Sequence, residues 1–139
     1  MTTNKNLISW LMHNLTKHSL FVNLRKDRIP ETIKKLRGSI LFIPSRYEGF
    51  SLSLIEGMSQ GLVPVIYAVG VAPEIIRNGE NGFIISSQEE AVKKVKILLA
   101  DSDLRNKCAK EAEKTASLFL SNVIASNLID LYKKVGRNG

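Results

Sequence analysis

A chain of 139 residues, 44% of them hydrophobic, is long enough for one domain with a real core; it has no apolar run of membrane-spanning length and no recognisable signal peptide. One cysteine, Cys108, excludes an internal disulfide and fits a cytoplasmic chain, and with only two histidines beside it no metal site is expected. The net charge of +7 lies wholly ahead of residue 47, where nine Lys/Arg face Asp27 and Glu31, while eleven residues of each sign follow.

In chain order, Asn4–His18 carries Leu7, Ile8, Leu11, Met12 and Leu15 on one helical stripe, with Trp10 off its centre and His13 and His18 structural or solvated. Ser19–Leu24 reads as a strand, and Arg25, Lys26, Asp27 and Arg28 form a polar loop at its carboxyl end. Pro30 opens a short helix, Glu31–Arg37, with Ile33 and Leu36 inward. Ser39–Ile43 is apolar and β-branched and stops at Pro44, which makes it a buried strand. After a polar turn, Ser45–Gly49, the residues Leu52, Leu54, Ile55 and Met58 recur at helical spacing until Gly61.

Val63–Tyr67 is a second buried strand. Pro73 and Glu74 start a short helix through Arg77, the pairs Asn78-Gly79 and Asn81-Gly82 mark turns, and Phe83–Ile85 is a further strand. Ser87 caps a helix with Glu89 and Glu90 in its first turn and Ala91, Val92, Val95, Leu98 and Leu99 inward. Asp101 or Ser102 caps the next, which carries Leu104, Cys108, Ala112, Ala116 and Phe119; a last helix begins at Ser121. Strand, helix, strand in this order predicts an α/β fold, a parallel sheet of about four strands flanked by helices.

In such sheets ligands sit at the carboxyl ends of the strands, where Arg46, Tyr47, Glu48 and Gly49 fall. Gly49 lets backbone approach a ligand, and the amides around Ser51, Leu52 and Ser53 open a helix with its positive dipole end, which suits a phosphate. Glu48 and Glu56 are separated by seven residues, close to two helical turns, so both are able to face the sheet end and accept hydrogen bonds from sugar or ribose hydroxyls. The equal alternative has Glu48 as a dipole partner of the helix and Glu56 as a solvated residue. Tyr47 either stacks on a ligand or packs at the strand end. Arg46 either meets the ligand or is the charge partner of Glu48.

Three linked stretches carry a resemblance: Y-E-G-F-S-L-S-L-I-E (47–56), G-L-V-P-V-I (61–66) and A-P-E-I-I-R-N-G-E-N-G-F-I-I (72–85). Together they resemble the E-x7-E, G-x-P-V-V and P-E-x-x-x-N-G-x-x-G segments of retaining glycosyltransferases of the GT-B architecture, the "group 1" family. The resemblance implies a Rossmann-like C-terminal domain that binds a nucleotide-diphospho-sugar for hexose transfer. It assigns Glu48 to the transferred sugar as the catalytic-site carboxylate, Glu56 to the ribose, and the backbone from Gly49 through Phe50, Ser51, Leu52 and Ser53 to sugar and diphosphate. Arg46, Arg25 and Lys26 are further donor-side candidates. No metal or other cofactor is implied. The acceptor, a glycan or lipid-linked molecule, would be held by an N-terminal domain.

Two positions depart from the family pattern. Val71 stands where a second glycine follows Gly70, and Gly57 stands where alanine is usual. The resemblance covers the later part of a donor domain, and the family's upstream basic pair has no counterpart before Glu48. Residues 1–139 are therefore expected to form a single, truncated donor-binding domain, inactive or weakly active alone, cytoplasmic, with peripheral contact to the inner membrane face as an option. The alternative is a non-catalytic relative that acts as an assembly module with a partner chain or membrane surface, with the surface around Trp10 and the basic first third as its working face. Nucleic acid is not an expected partner, because aromatic residues are few and are not interleaved with the basic ones.

Overall fold

The structure is a computed structural model that describes residues 29–119. The expected helix over 4–18, the strand over 19–24, the loop with Arg25 and Lys26, and the helix from 121 lie outside the described residues. In helix α1 (Ile29–Lys34), Glu31 occupies the first turn and Lys34 the last, each at the dipole end that favours its charge. The helix is shorter than the expected Glu31–Arg37. The amides of Leu36 and Arg37 bond to carbonyls only three residues back, at 2.9 and 3.4 Å, and this tighter winding turns Leu36 outward, 38% exposed rather than inward. Arg37 then reaches Glu113 through two hydrogen bonds, of 2.8 and 2.6 Å.

Strands β1 (Ile40–Ile43), β2 (Val63–Tyr67) and β3 (Phe83–Ile85) form a parallel sheet in that order. Ile40 stands opposite Val63 and Ile43 opposite Ile66; Val65 stands opposite Phe83 and Tyr67 opposite Ile85. The central strand is buried at every residue, which explains why it reads as an unbroken apolar run rather than an alternating one. The described residues hold three strands, and the fourth expected strand is the one at 19–24, outside them.

Helix α2 (Leu52–Ser59) follows β1 and ends on Gly61, whose φ of +71° is the left-handed turn that closes helices on glycine. The short helix α3 (Ala72–Ile75) follows β2. Helices α4 (Gln88–Ala100) and α5 (Ser102–Ser117) follow β3. Side chains that alternate along the strands divide the core into two clusters. Val63, Val65, Tyr67, Phe83 and Ile85 pack with Ala91, Val95 and Leu98 of α4. Ile43 and Ile66 pack with Leu54 and Met58 of α2 and with Ala72 and Ile75 of α3. Helix α5 contributes to both, Cys108 and Ala109 to the first and Ala112 and Ala116 to the second. Leu99, expected on the inner face of α4, is 49% exposed. It follows Leu98, which is fully buried, and adjacent positions on a helix lie about 100° apart.

Capping follows the sequence reading. Ser87 accepts from the Glu90 amide and Asp101 from the Leu104 amide. The Glu90 carboxylate in turn accepts from the amide and hydroxyl of Ser86, at 2.9 and 2.8 Å, a reciprocal capping arrangement. These two donors, the backbone amide first, lower the Glu90 pKa. The stabilisation is therefore present above the ordinary carboxylate range and is lost as the pH falls through the lowered value. Cys108 is buried with its thiol against the Gly79 carbonyl, and burial raises its pKa, the behaviour of an inert packing residue.

Gly57 is a contact point between α2 and the sheet: a Cβ there would run into the side chain of Leu41. The close approach offsets the helix cost of the glycine. Gly57→Val is expected to lower stability by about 1–3 kcal/mol through overpacking, seen as a lower urea midpoint with an unchanged slope.

The loop from α3 to β3 is tied down by Asn81, which is fully buried. Its amide nitrogen donates to the Ile75 carbonyl and to Thr115 Oγ1, both at 2.9 Å, and its oxygen accepts from the Arg77 amide at 2.7 Å. The Asn81-Gly82 pair, expected as a turn, closes one and places its asparagine in the core, as the link between this loop and α5.

Candidate functional site

The polar turn after β1 and the loop after β2 meet at the carboxyl edge of the sheet. Ser51 decides their geometry. It is the one non-glycine among the described residues with positive φ, at φ +72° and ψ +64°, and this left-handed residue swings the chain from the turn into α2. Such a conformation costs roughly 1–2 kcal/mol. Ser51 is also 5% exposed, and its hydroxyl has no hydrogen-bond partner. No side chain caps α2; the Leu54 amide bonds to the Ser51 carbonyl at 3.1 Å, and the amides ahead of it open the positive end of the helix. A strained residue, an orphaned hydroxyl and an uncapped helix start coincide at one point, as at sites built to take a ligand.

The neighbouring loop is held by backbone. The Val71 amide donates to the Phe50 carbonyl at 3.2 Å. Gly70 adopts φ +53°, and a Cβ on it would sit 2.9 Å from that same carbonyl oxygen, so glycine is required twice over at this position. Val71 has φ −80°. The second glycine of the family pattern is therefore not needed here for its dihedral, and the departure leaves the loop intact.

Between the two loops lies an open cleft of about 480 Å³ lined by Arg46, Tyr47, Glu48, Gly49, Ala68, Val69 and Gly70. A second cleft of about 350 Å³ adjoins it, with Tyr67, Ile84, Ser86 and Glu90 in its wall, and shares Arg46, Ala68 and Val69 with the first. Glu48 is half-buried and Gly49 exposed. Tyr47 is 95% exposed on the rim, which removes the packing alternative for that side chain. Phe50 meets Phe119 edge-on, ring centres 6.5 Å apart. Leu52 and Ser53 are exposed. Glu56 is exposed too, on the side of α2 opposite the buried Leu54, Gly57 and Met58, and it lines neither cleft. The structure therefore brings together Arg46, Glu48, Gly49 and the Ser51 turn, and leaves Glu56 apart from them.

Arg46 pairs with Tyr67 rather than with Glu48. Its guanidinium carbon lies 4.2 Å from the centre of the Tyr67 ring, and a terminal nitrogen donates to the Tyr67 hydroxyl at 3.3 Å. Tyr67 has no place among the sequence-derived site residues, since it closes a buried strand and reads as core. The available signal was a hydroxyl-bearing side chain at the carboxyl end of that strand. No group of three or more His, Cys, Asp or Glu among the described residues is arranged to hold a metal ion, and no helix among them is long and apolar enough to cross a membrane.

A family profile described as "Glycosyl transferases group 1" matches residues 2–115. The chain belongs to this family. It is 38% identical over 104 residues to a sucrose synthase of Melioribacter roseus, covering 66% of this chain and 13% of the relative. It is 31% identical over 101 residues to an N,N'-diacetylbacillosaminyl-diphospho-undecaprenol α-1,3-N-acetylgalactosaminyltransferase of Campylobacter jejuni, covering 71% and 27%. A D-inositol 3-phosphate glycosyltransferase of Streptomyces griseus shares 33% over 96 residues, covering 68% and 20%. The chain thus spans between 13% and 27% of the length of these curated relatives.

Among solved structures, the C-terminal domain of a group 1 glycosyl transferase from Francisella tularensis superposes with a TM-score of 0.65 at 28% identity, covering 81% of this chain and 60% of that one. A sucrose-phosphate synthase from Thermosynechococcus elongatus reaches 0.71 at 21% identity, covering 97% of this chain and 35% of that one, a likeness of fold. The architecture is that of the Rossmann-like C-terminal domains of GT-B glycosyltransferases.

Proposed function

We propose that this chain is the donor-binding domain of a glycosyltransferase, taking a nucleotide-diphospho-sugar for retaining transfer of a hexose. The observation that carries the reading is the cleft at the carboxyl edge of the parallel sheet, where Glu48 and Gly49 face Gly70 beside the uncapped start of α2 and the strained Ser51. Glu48 then accepts hydrogen bonds from the sugar. The amides from Gly49 to Ser53, with the Ser51 hydroxyl, hold phosphate oxygens. Glu56 meets the ribose from the outer side of α2, so nucleoside and sugar lie on different sides of the helix start. Arg25 and Lys26 belong to the nucleoside side of the same reading. The site works without a metal, because backbone amides and the helix dipole supply the positive field that a cation would otherwise provide.

The acceptor is a glycan or lipid-linked molecule, held by a further domain that this reading places across the cleft, and the setting is cytoplasmic with peripheral contact to the membrane. Supporting the acceptor class are the names of the relatives, one of which acts on a diphospho-undecaprenol. A domain that binds the donor but does not hold an acceptor in attack geometry turns over poorly.

Calorimetric titration with UDP, GDP and ADP tests the reading. One nucleotide is expected to bind, and Glu56→Ala is expected to weaken it by about tenfold, the loss of one to two charge-assisted hydrogen bonds. Failure of all three to bind at millimolar concentration would sink it. A second reading, a binding module that seats a partner chain, is favoured by Tyr47, Phe50 and Leu52, three large apolar side chains within six residues that are 95%, 47% and 67% exposed. It predicts self-association or partner capture lost on Leu52→Ser, with no nucleotide affinity.

A further inference from the structure

Arg46 stands on the wall common to both clefts, and its partner Tyr67 lines the second. Tyr67 is 5% exposed and anchored by its place in β2, opposite Ile85. Arg46 itself is exposed, and an exposed arginine ordinarily samples many rotamers at an entropic cost to any ligand that must fix it. Here one face of the guanidinium lies on the ring, 4.2 Å from its centre, and one N–H is taken by the hydroxyl. A guanidinium has five N–H donors, so most of the fork remains open.

The charge is equally available. The ion pairs among the described residues join Arg37 to Glu113, Arg77 to Glu80 and Lys114 to Glu111, and none involves Arg46. The other charge in the second cleft, Glu90, already accepts from the Ser86 amide and hydroxyl. A planar, pre-oriented and uncompensated cation at the junction of two clefts suits a phosphate group, whose oxygens match the fork.

We infer that Tyr67 is a positioning residue that holds Arg46 as an anchor for a phosphate group bridging the two clefts. The inference rests on the donor-domain reading for one source of that phosphate, the diphosphate of the nucleotide, entering from the Glu48 side. The other source is a phosphorylated acceptor, entering from the Ser86 side. Both present the same chemistry to the same fork.

The test uses the whole chain and two probes, UDP (or whichever nucleoside diphosphate binds) and a short alkyl diphosphate, each titrated in low and moderate salt. Arg46→Gln is expected to weaken binding of at least one probe by about tenfold and to flatten its salt dependence. Tyr67→Leu is expected to weaken the same probe by about threefold to tenfold, while Tyr67→Phe, which keeps the ring under the guanidinium, loses about twofold or less. Restoration by phenylalanine is a result that a purely structural role for the hydroxyl does not give, and thermal melts of the two Tyr67 variants separate a folding defect from a binding one. A loss confined to the nucleotide assigns the anchor to the donor side, and a loss confined to the alkyl diphosphate assigns it to the acceptor side. Nucleotide binding with neither probe sensitive to Arg46→Gln or Tyr67→Leu overturns the anchor and leaves the donor reading standing. Arg46-dependent binding of the alkyl diphosphate with no nucleotide affinity does the reverse. No binding of either probe overturns both.

Discussion

In Glu48→Ala, the preference for a nucleotide-sugar over its parent nucleoside diphosphate is expected to disappear. Glu48 is half-buried in the wall of the larger cleft. It is close enough to Gly70 that a Cβ on that glycine would lie 3.4 Å from its own Cβ. The missing side chain at Gly70 thus keeps the cleft open beside the stem of Glu48. Hydrogen bonds from sugar hydroxyls to a carboxylate contribute about 1.5–3 kcal/mol, so the conjugate loses roughly tenfold to a hundredfold in affinity. The nucleoside diphosphate, which does not reach Glu48, should keep its affinity within about twofold. Glu48→Gln keeps the shape and loses the charge, and it should fall between the two. Calorimetry on matched pairs of ligand measures all three. An equal loss for the nucleoside diphosphate alone would mean that Glu48 shapes the phosphate turn instead of holding sugar.

The largest effect on stability is expected from Asn81→Leu. Leucine is close to asparagine in branching, yet none of the three hydrogen bonds survives. The Ile75 carbonyl and the Arg77 amide lose their partner, Asn81, while Thr115 keeps its bond to the Glu111 carbonyl at 2.9 Å. Each buried polar group left without a partner costs about 1–3 kcal/mol. Two of them, offset in part by apolar burial, give a loss of about 3 kcal/mol, a large fraction of the roughly 5–15 kcal/mol that holds a domain together. Urea denaturation followed by circular dichroism reads this directly. Asn81→Asp should be nearly as damaging, because the carboxylate brings a charge into a fully buried position and lacks the amide donor for Ile75 and Thr115. A loss below about 1 kcal/mol in both variants would mean that the loop relaxes and finds other partners.

Much of this architecture was legible in the sequence because local and global signals agree. Val63–Tyr67 and Phe83–Ile85 were bounded to the residue, since each is a short apolar run close behind a glycine, Gly61 or Gly82. The cap at Ser87 was equally readable, and of the two candidates for the next cap, Asp101 and Ser102, the structure has Asp101. What was not legible depends on rotation and on tertiary partners. Leu36 and Leu99 have the right composition for an inner face and fail it through helix phase. Asn81 reads as a turn residue and is one, but its burial depends on the proximity of Ile75 and Thr115, which the local sequence does not carry.

At the site, the turn after β1 was found from its position at a strand end. Its two decisive features, the left-handed Ser51 and the Arg46–Tyr67 stack, arise from backbone path and from a neighbour twenty-one residues away. Spacing allowed Glu48 and Glu56 a common side and equally allowed Glu56 to be a solvated helix residue, and Glu56 is exposed. The structure puts Glu56 on the outer side of α2, because Leu54, Gly57 and Met58 claim the inner one.

Helix α5 supplies residues to the cores on both faces of the sheet and is clasped by Arg37 and by Asn81. Its departure would strip both faces at once, so neither half of the domain has an independent partial opening that leaves the other protected. Native-state hydrogen exchange should therefore report one shared opening free energy for the amides of β2 and of α5. The loops that carry Gly49, Ser51 and Gly70, hung from the strand ends outside that unit, would exchange at lower energies. The domain is then a rigid cooperative block with adjustable edges, and ligand binding should protect the edges far more than the block.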